Sequence, residues 1–264
     1  MPVRKGAPAL LSAGTLCAAL LLTACASPAP SAPAPTSPTS ASTSGDSRPA
    51  PGPPAVAAND LASAPVPAPR IPGVGPATQA HVPDGTTQAF VVTGATADSD
   101  TATATLYRLD PARGWIAAAG PWPARNALRG WTAEHTAGDL RSPIGVFRIG
   151  DAGGRLPDPG ARLPYDEDEQ FDISGTGFLG EPLEGSFDHV IAIDYNRVPG
   201  RTPLDRERPL GDGRGGGVWI HVDHGGPTQA CVALEREALR ALLRALDPAA
   251  EPVVVMGPAS ALAR

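Results

Sequence analysis

The stretch Trp219-Ile-His-Val-Asp-His-Gly-Gly-Pro-Thr-Gln-Ala-Cys-Val-Ala233 decides how this 264-residue chain is read. It opens on a β-branched run, Val218–Val222, passes a Gly-Gly-Pro break, and leads into the one segment with a strong helical period. There Leu239, Leu242, Leu243 and Leu246 fall at i, i+3, i+4 and i+7. A strand end and a helix start are both fixed by packing, so reactive side chains between them can be held in place. His221, Asp223, His224 and Cys231 all lie in this interval. Cys231 stands just ahead of the helix, where free N–H groups and the positive dipole end are expected to favour its thiolate. A nearby histidine able to take the thiol proton completes a minimal cysteine nucleophile.

Working outward, short β-branched runs separated by Asp, Gly or Pro recur at Gln88–Thr93, Thr103–Arg108, Gly114–Ile116, Ile144–Ile149, Val190–Tyr195, Val218–Val222 and Pro252–Met256. The spacing predicts a meander of antiparallel strands and one good helix that starts near Glu235 and stops at Asp247-Pro248. A mostly-β domain over residues 77–260 follows. The acidic run Asp166–Glu169 lacks the spaced oxygens and glycine of a calcium loop and reads as solvated.

The rest of the chain is different in kind. Residues 1–24 carry Arg4 and Lys5 followed by an apolar run from Ala9 to Leu22, the pattern of a secretory signal and too short for a membrane span. The run ends Leu22-Thr23-Ala24-Cys25, which resembles the bacterial lipobox. That resemblance implies lipid on Cys25 and a protein exported to, and anchored on, the outer face of the cytoplasmic membrane. Residues 25–76 are Pro, Ala, Ser, Thr and Gly with little charge, and read as a disordered tether with a fully extended reach on the order of 150 Å. This segment gathers 14 of the chain's 32 Pro, while 42% hydrophobic content leaves enough for one folded domain. Three cysteines exclude a disulfide scaffold. A net charge of −6, with no lysine after Lys5, excludes a nucleic-acid binder.

At the motif level the chain resembles the L,D-transpeptidase catalytic domain (YkuD-like), in a divergent, actinobacterial-type lipoprotein form. Ile220-His221-Val222 is similar to the family's histidine strand, and Thr228-Gln229-Ala230-Cys231 to its Ser/Thr-x-Gly-Cys turn. Ser142-Pro143-Ile144-Gly145-Val146-Phe147, the Asp194-Tyr195-Asn196 strand end and the closing helix and strand add to the match, over roughly residues 80–258. The resemblance implies a β-sandwich or barrel with one main C-terminal helix, acting without a cofactor as a monomer. Its implied partners are peptidoglycan stem peptides, with the membrane reached through the lipid anchor. Three departures stand out. Ala230 replaces the usual Gly, ten residues separate His221 from Cys231, which is short for the family, and Val232-Ala233 occupy the place of an Arg that often follows the cysteine.

The resemblance assigns Cys231 as nucleophile and His221 as base, with His224 its competitor. The N–H groups of Ala230 and Cys231 are the expected oxyanion donors. Thr228 fixes the turn or touches substrate, Asp223 orients an imidazole or is solvated, and His135 and Tyr195 line the pocket or serve packing or solvent-facing roles. Two other classes stay open: a metal site built from His221, Asp223, His224 and Cys231, and a catalytically silent wall-binding lipoprotein.

Overall fold

A computed structural model describes residues 70–264. The expected signal segment, Cys25 and nearly all of the expected tether lie outside the described residues.

Twelve strands are formed among the described residues: β1 (Gln88–Gly94), β2 (Thr101–Asp110), β3 (Gly114–Arg125), β4 (Trp131–Thr132), β5 (Ser142–Pro143), β6 (Gly145–Arg148), β7 (Ala152–Gly154), β8 (Tyr165–Glu167), β9 (Val190–Ala192), β10 (Trp219–Val222), β11 (Val232–Leu234) and β12 (Val253–Pro258). Ten of them make one sheet in the order β6-β12-β1-β2-β3-β11-β10-β9-β7-β8, and β4 pairs with β5. The fold is mostly β, as expected, with a large mixed sheet that agrees with the L,D-transpeptidase β-sandwich. The strands β1, β2 and β3 form the expected antiparallel meander. Three pairs in the sheet, β1 with β12, β10 with β11 and β7 with β8, run parallel instead.

Helix α2 (Arg236–Ala245) lies where the leucine period put it; α1 (Pro76–Gln79) and α3 (Ala259–Leu262) are single turns. The Glu235 side chain caps α2 by accepting from the N–H groups of Glu237 and Ala238, and Asp247 caps the following 3-10 turn. Ala238, Leu239, Leu242 and Leu243 bury the apolar face of α2, which packs on β10 and β3.

Alternation along β1 and β12 places them between two cores. Phe90, Val92, Val254 and Met256 join the main core, with Ile191, Ile220 and the α2 leucines. Ala89, Val91, Val253 and Val255 face the other way, onto Ile71, Val74 and Leu262. Burial on both faces explains why Val253-Val-Val-Met256 is an unbroken apolar run. It also moves the start of the folded part: Ile71 and Val74 lie in the stretch read as tether, yet are 1% and 6% exposed. Of the acidic run, Asp166 and Glu167 fall in β8 and Asp168 caps a 3-10 turn.

Candidate active site

The parallel pairing of β10 with β11 builds the site. Residues 223–231 leave the end of β10 and must return to its beginning, because Ile220 pairs with Val232 and His221 with Ala233. Cys231 therefore arrives beside Trp219. Its Sγ accepts from the Trp219 N–H at 3.4 Å and donates to the Gly217 carbonyl at 3.7 Å. The turn is fastened at the Cys231 carbonyl, which accepts from the Thr228 hydroxyl at 2.7 Å and the Ser142 hydroxyl at 3.4 Å. Thr228 is itself 4% exposed and is tied on to Asn126 and Leu128 through its backbone. The hydroxyl of Thr228 thus serves the turn.

Cys231 is followed by β11 rather than by the helix. The first N–H groups of α2 lie beyond Glu235 and are capped by its carboxylate, so the expected helix-dipole support for a thiolate is not available. Burial dominates instead and pushes the Cys231 thiol up to about 11, against a small opposing effect of the Trp219 N–H.

His221 is 3% exposed, with Phe187 edge-on to its ring at 5.4 Å. Its Nδ1 lies 2.9 Å from the Val222 carbonyl. A carbonyl only accepts, so Nδ1 carries the proton and the neutral ring keeps Nε2 as its basic atom. Burial lowers the ring to about 4; the Val222 carbonyl opposes this, His224 adds to it, and Asp223 opposes it slightly. At neutral pH the resting pair is thiol and neutral imidazole, not the thiolate–imidazolium pair the sequence suggested.

The other candidates sort by their contacts. Asp223 pairs with Arg125 at 3.3 Å and accepts from the Gly225 N–H at 2.8 Å, so a backbone carbonyl, not Asp223, orients His221. His224 stacks on His221, with ring planes 9° apart and centroids at 5.7 Å, and its Nδ1 meets Glu181 at 3.2 Å. The four proposed metal ligands do not converge: Asp223 and His224 are turned to Arg125 and Glu181. Among the described residues no group of three or more His, Cys, Asp or Glu side chains is arranged to hold a metal ion.

His135, with Nδ1 on Asp139 at 3.0 Å, lines the same cavity as His221, His224 and Cys231. Tyr195 does not line it. Its hydroxyl sits 3.2 Å from the His135 carbonyl and 3.0 Å from that of Arg214, and Asn196 bonds the carbonyls of Gly211 and Gly215. These two residues hold the Gly215–Gly217 wall from behind. The cavity measures about 460 Å³, with Ile173, Phe178, Leu183 and Phe187 among its apolar surfaces. Among the described residues, the N–H groups of Ala230 and Cys231 meet no protein acceptor.

Residues 86–255 match the family model of the L,D-transpeptidase catalytic domain, YkuD. The chain belongs to that family. Two solved structures are similar to this L,D-transpeptidase domain. One is the helical cell shape determining protein Pgp2 from Campylobacter jejuni, at 16% identity over 65% of this chain and 48% of that one, with a TM-score of 0.34. The other is a lysine-to-alanine variant of Pgp2, at 16% identity over 68% and 53%, with a TM-score of 0.35. The chain thus spans about half the length of each. No curated protein matches it.

Within the L,D-transpeptidase frame the departures at the motif acquire a geometry. Ala230 keeps its φ out of the left-handed region, which among the described non-glycine residues only Leu140, Asn196 and Glu251 enter, so alanine fits without backbone strain. The ten-residue spacing suffices because the 223–231 connection spans only a short parallel pair. Sequence reasoning missed Glu181 and Phe187, which come from segments with no spacing relation to the motif.

Proposed function

We propose that this L,D-transpeptidase domain is a cysteine acyltransferase of peptidoglycan stem peptides, carried on the outer face of the membrane by lipid on Cys25. The supporting observation is that Cys231 and His221 line one cavity whose turn also offers two free N–H groups. Cys231 Sγ attacks the carbonyl joining diaminopimelate to the terminal D-Ala of a tetrapeptide stem, as His221 Nε2 takes the thiol proton. The N–H groups of Ala230 and Cys231 receive the developing oxyanion. The C–N bond breaks, the D-Ala amine leaves with the proton from His221, and a thioester remains. The side-chain amine of a second stem, or water, attacks the thioester, gives its proton to His221 and releases the thiol, yielding a 3→3 crosslink or a trimmed stem.

Incubation with tetrapeptide-bearing muropeptides tests this: crosslinked or trimmed products are expected from the wild type and none from Cys231→Ala. Full turnover by Cys231→Ala would overturn it. The neutral resting pair favours a second reading, a wall-binding lipoprotein with a silent thiol. A carbapenem adduct on Cys231, seen by intact mass, separates the two, since an inert thiol gains no mass.

A further inference from the structure

Thiol and base do not account for the most deliberate piece of packing at the cavity, which belongs to Glu181. Residues 175–183 form a small hairpin: Gly177 N–H bonds the Glu181 carbonyl at 2.8 Å, Leu183 N–H bonds that of Gly175 at 3.1 Å, and Thr176 bridges Pro182. Its tip carries Phe178, on the cavity wall, and Leu179, 70% exposed. The Glu181 side chain turns away from solvent and is 12% exposed. Its Oε2 accepts from the Leu179 N–H at 2.7 Å and its Oε1 from His224 Nδ1 at 3.2 Å. Gly177 of the hairpin and Gly226 of the loop after β10 flank this carboxylate, and a Cβ at either would overlap it. Two separate segments therefore leave out a side chain where Glu181 reaches across to the histidine loop.

We propose that Glu181 is a positioning residue for the base: bonded to Nδ1 of His224, it holds that ring flat against His221, so that a charge on His224 opposes protonation of His221. The geometry supplies each link. Nδ1 of His224 is committed to the carboxylate, which fixes the ring plane, and the two rings lie 9° from parallel with centroids at 5.7 Å. The charged and titratable groups facing His221 are few. His224 and Asp223 come from its own segment, Cys231 from the segment entering β11, and Phe187 on the other side is uncharged. Asp223 is turned to Arg125, which leaves His224 as the neighbour able to oppose a proton on His221. Burial opposes the charge on Glu181, but the N–H groups of Glu181 and Leu179 and the His224 ring outweigh it and hold its carboxyl below the usual range. The counter-charge is therefore kept wherever His221 must stay unprotonated to act as base. The catalytic consequence rests on the acyl-transfer reading; the coupling between the rings does not.

The experiment is an NMR titration of the His221 Cε1–H signal in the wild type and in Glu181→Gln, Glu181→Asp, His224→Gln and the Glu181→Gln/His224→Gln double variant. Glu181→Gln and His224→Gln are each expected to raise the His221 midpoint, on the order of 0.5 to 1 pH unit. The double variant is expected to go no further than His224→Gln, because Glu181 acts through that ring. Glu181→Asp restores the midpoint toward the wild-type value. A midpoint that stays put in Glu181→Gln and His224→Gln, or shifts that add in the double variant, would overturn the proposal. If Glu181→Gln does not fold, His224→Gln alone carries the test, since it leaves the hairpin intact. Carbapenem labelling of the wild type runs alongside: an adduct with an unmoved midpoint removes this proposal alone, and a moved midpoint without an adduct counts against acyl transfer alone.

Discussion

The backbone N–H of Trp219 points at Sγ of Cys231, 3.4 Å away, because β10 and β11 run parallel and in register. That single donor offsets little of the burial that lifts the thiol to about 11. Two units above the ordinary thiol, the thiolate fraction at pH 7 falls about 100-fold, while the higher intrinsic nucleophilicity of the more basic sulfur returns about tenfold. Alkylation of Cys231 by iodoacetamide at pH 7 is expected to be about tenfold slower than that of an unhindered thiol and to climb with pH toward 11. Rates followed by intact mass decide it, and a fast plateau below pH 8 would contradict the neutral resting thiol.

His221 makes the fold acid-sensitive. Its folded pKa, about 4, lies below the unfolded value of 6.5, so the unfolded chain binds the proton first. The contribution is fully present above about 6.5 and is lost as pH falls toward 4, amounting to roughly 3 kcal/mol by then. Urea midpoints between pH 7 and 4 are expected to fall in the wild type and to be flatter in His221→Gln. Parallel curves would show that the ring is not buried in its neutral form.

Arg197 is a buried cation shared by two carboxylates, Asp151 at 2.8 Å and Asp194 at 2.5 Å, and Nη2 also bonds the Arg201 carbonyl at 2.6 Å. Burial pushes the Asp194 carboxyl up while Arg197 holds it down. Arg197→Met leaves two buried carboxylates without their cation, for a loss of about 3–5 kcal/mol. Denaturant unfolding at pH 7 measures this, and a loss under about 1 kcal/mol would mean the triad is solvated.

Thr228 is expected to act through the turn. Thr228→Val removes the hydroxyl that donates to the Cys231 carbonyl, costing about 1–2 kcal/mol and slowing carbapenem acylation, while Thr228→Ser keeps both near wild type. If the valine and serine variants acylate equally fast, the hydroxyl does not hold the nucleophile.

Much of this was legible in advance where one physical rule acts alone. The leucine period placed α2, and β-branched runs placed β1, β2, β10 and β12, because each depends on a repeat within its own segment. Meander pairing failed at β12, since local pattern does not say which neighbour a strand adopts, and β11 was not foreseen because Cys231 was read as leading straight into the helix. Cys231 and His221 were found from short motifs, whereas Glu181 lies 43 residues before His224 and joins it only through folding. Tyr195 stayed open between pocket and packing roles for a related reason: the same residue can face a cavity or brace its wall, and only packing says which.

By itself the sequence determined that the domain is mostly β, that one amphipathic helix closes it, and that Cys231 and His221 are its candidate chemistry. These follow from periodicity and motif, which survive in one dimension. Tertiary structure decided that the thiol and imidazole rest neutral, that Val222 rather than Asp223 orients the base, and that Glu181 stands behind His224. Such properties depend on burial and on contacts between segments remote in the chain, and neither exists until the strands have chosen their partners.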